Sequence, residues 1–156
     1  KIGFKIPLII GPVFMAIGLY LLSQVRVNGT YLHDVLPGLS ILAVGMGLIF
    51  VSTTTAATNG VSEKDSGLAS GLLNTSQQIG GSLGLAVLSG VASSAATRYI
   101  HEHGANAVAE AQVKGFEEAF MVGALLTLIG IVIVIVFIKE VKSSKKSTKK
   151  STAMMH

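Results

Sequence analysis

The sequence predicts an all-α membrane protein built on four transmembrane helices, and two observations predict it. Charged residues make up 13% of the 156, about half the 25% usual in soluble domains. The deficit is concentrated in residues 6–25, 35–62, 66–97 and 119–138, which contain no Asp, Glu, Lys or Arg over 20, 28, 32 and 20 residues. A bilayer-crossing helix needs roughly 20 mostly apolar residues, so each window holds one crossing. An ordinary soluble domain is excluded.

Inside lipid every amide must be paired within its own segment, which leaves helices or a closed barrel. Barrel strands alternate polar and apolar residues over about ten positions. Residues 129–137, Ile-Gly-Ile-Val-Ile-Val-Ile-Val-Phe, show no such alternation. The expected spans are a (6–24), b (36–58), c (67–95) and d (116–138). A Lys/Ser/Thr-rich segment, 139–156, follows them and is expected to be disordered. Lys1 and Lys5 ahead of an apolar stretch resemble a secretory signal, whose apolar part runs about 7–15 residues before a small-residue cleavage site. Residues 6–22 are longer, and Leu21-Leu22-Ser23-Gln24 is a poor cleavage site, so a mature span is expected.

No cysteine is present, which removes disulfides, thiolate metal sites and a cysteine nucleophile. The net charge of +4 does not point to nucleic acid, because six of the twelve basic residues are lysines in 139–150, just past the last apolar window. Cytoplasmic segments are enriched in Lys and Arg. With four spans, Lys1, Lys5, Lys64 and the six tail lysines share one side, against Arg26, Arg98 and Lys114 on the other. Both ends and the b–c turn are therefore expected in the cytoplasm, with loops 25–34 and 96–115 outside. The tail lysines anchor that topology and suit anionic lipid, at around 1 kcal/mol each near the surface.

The spans differ chemically. Span d is nearly pure hydrocarbon over 125–138 and span a has few polar groups, whereas b and c carry Ser, Thr, Asn and Gln throughout. An amide buried in lipid without a partner costs on the order of several kcal/mol, so a and d read as peripheral, b and c as interior. At 100° per residue, Ser66, Ser70, Asn74, Gln77, Gly81 and Gly84 of span c lie within about 40° of one line, with Leu68, Leu72, Ile79, Leu83 and Ala86 opposite. The polar stripe either lines a hydrated cavity or bonds a neighbouring helix, the latter worth about 1–2 kcal/mol or less. Gly67-x-x-x-Gly71 and Gly80-x-x-x-Gly84 are small-residue pairs that suit close helix packing. Span b carries a weaker stripe of Ser40, Gly47, Thr54 and Thr58, again small enough for close contact. Pro12 inside span a removes one backbone bond and bends the helix, as a static kink or a hinge.

His101-Glu102-His103 is read as a solvated loop rather than a metal site, because imidazoles two residues apart diverge on a helix and one carboxylate stands near. Asn28-Gly29-Thr30 fits a glycosylation sequon, a short pattern that arises often by chance. The four windows hold no group that titrates near neutral pH, although intramembrane carboxylates are the usual carriers of proton coupling. No catalytic constellation lies at membrane depth, so an enzyme is not expected, nor any cofactor or metal.

Residues 63–87, Glu-Lys-Asp-Ser-Gly-Leu-Ala-Ser-Gly-Leu-Leu-Asn-Thr-Ser-Gln-Gln-Ile-Gly-Gly-Ser-Leu-Gly-Leu-Ala-Val, resemble the penultimate span of fourteen-span drug:proton antiporters of the EmrB/QacA type, a branch of the major facilitator superfamily. Glu63, Gly67, Ala69-Ser70-Gly71, Asn74, Gln78, Gly80, Gly84 and Ala86 match that pattern; Gln77 stands where many relatives carry Arg. Lys5-x-Pro7 leading into Gly11 resembles the start of the eleventh span, and Pro37, Gly38, Gly45 and Gly47 resemble the twelfth. The resemblance implies that a to d are spans eleven to fourteen, a C-terminal fragment of a transporter fold in the cell membrane, with the remaining chain ahead of Lys1 as its partner. It implies proton-coupled efflux of amphipathic or cationic small molecules by alternating access, with b and c bordering the cavity. The candidate cavity residues are Ser70, Asn74, Gln77, Gln78, Thr54 and Thr58; the candidate packing residues are Gly67, Gly71, Gly80 and Gly84. A self-contained four-helix membrane scaffold without transport activity is the alternative.

Overall fold

The computed structural model describes residues 5–58, 61–62 and 64–137. The expected tail, 139–156, lies outside them. Among the described residues every regular element is helical: α1 (Lys5–Leu22), a single π turn (Tyr31–Val35) leading into α2 (Leu36–Thr58), α3 (Ser66–His103) and α4 (Val108–Phe137). The last three are long and apolar enough to cross a membrane. The 18 residues of α1 reach about 27 Å at 1.5 Å per residue, near the lower end for a crossing. It runs unbroken through Pro12, which is buried together with Gly11.

Helix α1 packs on both α2 and α4, α3 packs on α4, and α2 and α3 touch only sparingly. The two most apolar helices therefore form the middle of this unit, and the two polar ones stand on its flanks. The α1–α2 seam is set by four glycines. Gly11 and Gly18, like Gly38 and Gly45, are seven residues apart, close to two turns, so each pair lies on one face. A methyl on Gly11 would stand 3.0 Å from the Gly45 carbonyl oxygen, and one on Gly45 2.7 Å from that of Gly11. Gly18 and Gly38 are related in the same way, at 2.8 and 3.1 Å. The pairing runs antiparallel, and the side chains of Met15, Leu22, Leu42 and Ile49 close against the same glycines.

The α3–α4 hairpin uses another small-residue ladder. Ala111, Gly115, Ala119 and Gly123 recur every four residues along one side of α4. Ala111 is fully buried, Ala119 and the facing Ala95 nearly so, and a methyl on Gly115 would stand 2.5 Å from the Ala92 carbonyl oxygen. At the end of the hairpin the Arg98 guanidinium donates to both carboxylate oxygens of Glu118, at 2.8 and 2.9 Å.

This hairpin corrects one expectation. Residues 96–115 were expected as an outer loop, but α3 continues to His103 and α4 begins at Val108, leaving only 104–107 between them. The alanine ladder keeps packing after hydropathy has fallen, so the helices outlast their apolar windows. The 38 residues of α3 span about 57 Å, against a hydrocarbon core of about 30 Å. Gly104 ends α3 at φ 89°, ψ 167°, a region open essentially to glycine alone.

Candidate functional site

The polar residues of α2 and α3 divide into two chemical groups. The hydroxyls are supplied by their own helices: Thr54 Oγ1 donates to the Phe50 carbonyl at 2.8 Å, Ser70 Oγ to Ser66 at 2.9 Å, Thr75 to Gly71 and Ser82 to Gln78. Such bonds back along the helix let a hydroxyl sit in an apolar setting without a neighbour. The amides are different. Asn74, Gln77 and Gln78 are exposed and make no side-chain hydrogen bond to another described residue. Thr58 ends α2, and its side chain lies outside the described residues.

Gln77 faces α2 across the trough that separates α2 from α3. With Met15 of α1 and Met46, Ile49 and Phe50 of α2 it lines a groove of about 320 Å³. The facing direction is supported at the other end of the stripe. Leu88, eleven residues beyond Gln77 and so nearly on the same line at three turns, comes within 3.7 Å of a methyl placed on Gly123, as Leu19 of α1 does at 3.5 Å. The line through Gln77 and Leu88 is therefore turned toward α4 and α1 at Leu88 and toward the α1–α2 hairpin at Gln77, while among the described residues nothing stands within 4 Å of a methyl placed on Gly81 or Gly84 between them. Gln78, 100° further round, points away from that groove, with Asn74 between the two directions. Leu68, Leu72, Ile79 and Leu83 form the opposite face and are all exposed. Thr54 lies one turn beyond Phe50 and extends the α2 wall.

The four glycines expected to pack have no neighbour here: among the described residues nothing stands within 4 Å of a methyl placed on Gly67, Gly71, Gly80 or Gly84. The same holds for Gly47 on α2. Close contacts within this chain are instead made by Gly11, Gly18, Gly38, Gly45 and Gly115. Their seven- and four-residue spacings were the signal in the sequence that could have found them. Met15, Met46 and Phe50 carry no such signal, because an apolar residue in an apolar helix looks the same on every face.

Between the end of α1, the start of α2 and α4, Leu22, Val25, Val35, Leu39, Leu42, Val113, Phe116 and Phe120 line a separate apolar groove of about 340 Å³. His101 and His103 lie not on a loop but in the last turn of α3, where the His103 ring stacks on Tyr99 with centroids 4.1 Å apart. Its Nδ1 lies 3.2 Å from the Tyr99 carbonyl oxygen. Asp34 Oδ2 accepts the Thr30 amide at 2.7 Å and so braces the turn ahead of α2.

No solved structure matches this chain. Among curated proteins it is 32% identical over 126 residues to the puromycin resistance protein pur8 of Streptomyces alboniger, a match covering 76% of this chain and 25% of that protein. It is 37% identical over 78 residues to the cephamycin export protein CmcT of Amycolatopsis lactamdurans, covering 50% of this chain and 16% of that one. It is 32% identical over 91 residues to the multidrug resistance protein Stp of Mycobacterium tuberculosis, covering 58% and 17%. The chain thus spans a quarter or less of the length of these relatives. The model of the Major Facilitator Superfamily matches residues 1–154, nearly the whole chain, and the chain belongs to that superfamily.

Proposed function

We propose that this chain is the C-terminal part, spans eleven to fourteen, of a fourteen-span transporter that exports amphipathic or cationic compounds in exchange for protons. In this reading α2 and α3 form part of one wall of a central cavity, with Asn74, Gln77, Gln78, Ser70, Thr54 and Thr58 along it. The halves of the full protein rock around that cavity to expose it alternately to either side. Both ends of the fragment lie in the cytoplasm and the protein resides in the cell membrane.

The observation that carries the reading is the amide-bearing face of α3. Amides without hydrogen bonds are poorly suited to lipid, and Gln77 looks into the groove beside α2 rather than onto a packed neighbour. The residue pattern over 63–87 and the export and resistance names of the relatives support the same conclusion. The pairs Gly67–Gly71 and Gly80–Gly84, on different sides of α3, are then surfaces on which helices of the missing part pack. No carboxylate or histidine lies in the charge-free windows, so proton binding at membrane depth falls to residues outside this fragment.

The test compares the complete gene with this fragment in a drug-sensitive host. The full-length protein is expected to lower accumulation of puromycin or of a lipophilic cation, and a protonophore is expected to abolish that effect. The fragment alone is expected to do neither. Resistance from the fragment alone, or export insensitive to the protonophore, overturns the reading.

A further inference from the structure

We propose that Met15, Met46 and Phe50, together with Gln77, form a contact site for the exported compound. The compound it takes has a flat or branched apolar body and one hydrogen-bonding group, and meets no ionic partner on this wall. The proposal rests on the export reading and goes further in assigning three apolar residues. One of them lies on α1, a helix whose composition gave it no part in the site.

The groove is held open by its own walls. Gly11 and Gly45, with Gly18 and Gly38, pin α2 to α1 at backbone contact, and Gly115 against Ala92 pins α3 to α4. Ala16 and Ala124 are both nearly buried between the two hairpins. Helices α2 and α3 therefore meet only sparingly although each is fixed to a neighbour, which leaves the space between Gln77 and Phe50. At about 320 Å³ it falls at the small end of ligand sites, which run from roughly 300 to 1,000 Å³.

The lining chemistry selects the occupant. Two thioethers and a phenyl ring make a soft, adaptable surface that accepts aromatic bodies of differing outline. Gln77 adds the one polar contact, as both donor and acceptor, and its amide is without a hydrogen-bond partner among the described residues. With no Asp, Glu, Lys or Arg in any of the contributing windows, discrimination here comes from shape and that single hydrogen bond, which suits a site of broad specificity.

The test uses the full-length transporter and two probes, puromycin, which can hydrogen-bond, and tetraphenylphosphonium, which cannot. Initial export rates are measured against concentration, using whichever probe the wild type exports for the apolar variants. Phe50→Ala is expected to raise the half-saturating concentration about tenfold, as loss of an aromatic anchor does, with maximal rate and abundance near wild type. Met46→Ala and Met15→Ala are expected to raise it by smaller factors, Phe50→Leu to restore part of the loss, and Leu72→Ala on the opposite face to change nothing. Gln77→Leu is expected to weaken puromycin and leave tetraphenylphosphonium unchanged. If Phe50→Ala instead lowers abundance with the half-saturating concentration unchanged, a side chain of another helix fills the groove and this site is wrong while the export reading stands. Wild-type protein that exports neither probe overturns both.

Discussion

Gly18 and Gly38 face each other across the α1–α2 seam so closely that a methyl on either would stand 2.8 or 3.1 Å from the other's carbonyl oxygen. In lipid the hydrophobic effect does not draw helices together, so close backbone approach and dispersion carry the association. The two hairpins of this chain are each fastened in that way, and the open trough between α2 and α3 is what their fastening leaves.

Gly18→Ala and Gly45→Ala place a methyl against backbone, which cannot swing aside as a side chain can. Each is expected to cost about 1–3 kcal/mol, the usual range for overpacking. The measurement is the thermal midpoint and detergent-extracted yield of the full-length protein. Gly104→Ala is expected to fall in the same range for a different reason, the backbone strain at its φ of 89°. Gly29→Ala acts differently: its methyl would meet the Asp34 carboxylate at 2.8 Å and the Arg26 carbonyl oxygen at 3.0 Å, so it is expected to displace Asp34 from the Thr30 amide and loosen the turn ahead of α2.

Gly80→Leu and Gly84→Leu meet nothing within this chain. If the rest of the transporter packs on that pair, both variants lower the abundance of the full-length protein several-fold. Normal abundance and export in both would show that no helix rests there.

Single cysteines report which faces of α3 see water, since the chain has none of its own. Cysteine at Asn74 or Gln77 is expected to react readily with a membrane-impermeant thiol reagent in a full-length background cleared of other cysteines. Cysteine at Leu72, Ile79 or Leu83 is expected to react far more slowly, because the reactive thiolate is disfavoured in apolar surroundings. Substrate protects the first set and not the second. Equal labelling of both faces would return the stripe to a packing role.

The Arg98–Glu118 pair is doubly hydrogen-bonded, yet its side chains are 59% and 35% exposed. Solvent screens such a pair, and its coupling in a double-mutant cycle of Arg98→Ala and Glu118→Ala is expected to be no more than about 1 kcal/mol. It is also expected to shrink in high salt. A coupling well above that would mean that the hairpin end is buried against another part of the full protein.

Four charge-free windows of 20 to 32 residues were enough to read four helices, because transfer to lipid depends on composition and length and on little else. The amide stripe on α3 was legible for a similar reason: a helix has a fixed period, and Ser70, Asn74 and Gln77 fall on one side of it whatever surrounds them. The ends of α3 and α4 were not legible. Hydropathy drops at Arg98, whereas the helix is continued by Ala92 and Ala96 meeting Gly115, a partner some twenty residues away along the chain. Which glycines pack was likewise decided by tertiary structure. Gly80 and Gly84 have the spacing associated with helix pairs and touch nothing here, while Gly18 touches Gly38 because α2 folds back along α1. Met15, Met46 and Phe50 show the limit most plainly. Their chemistry is that of any lipid-facing residue, and only the arrangement of three helices sets them opposite Gln77.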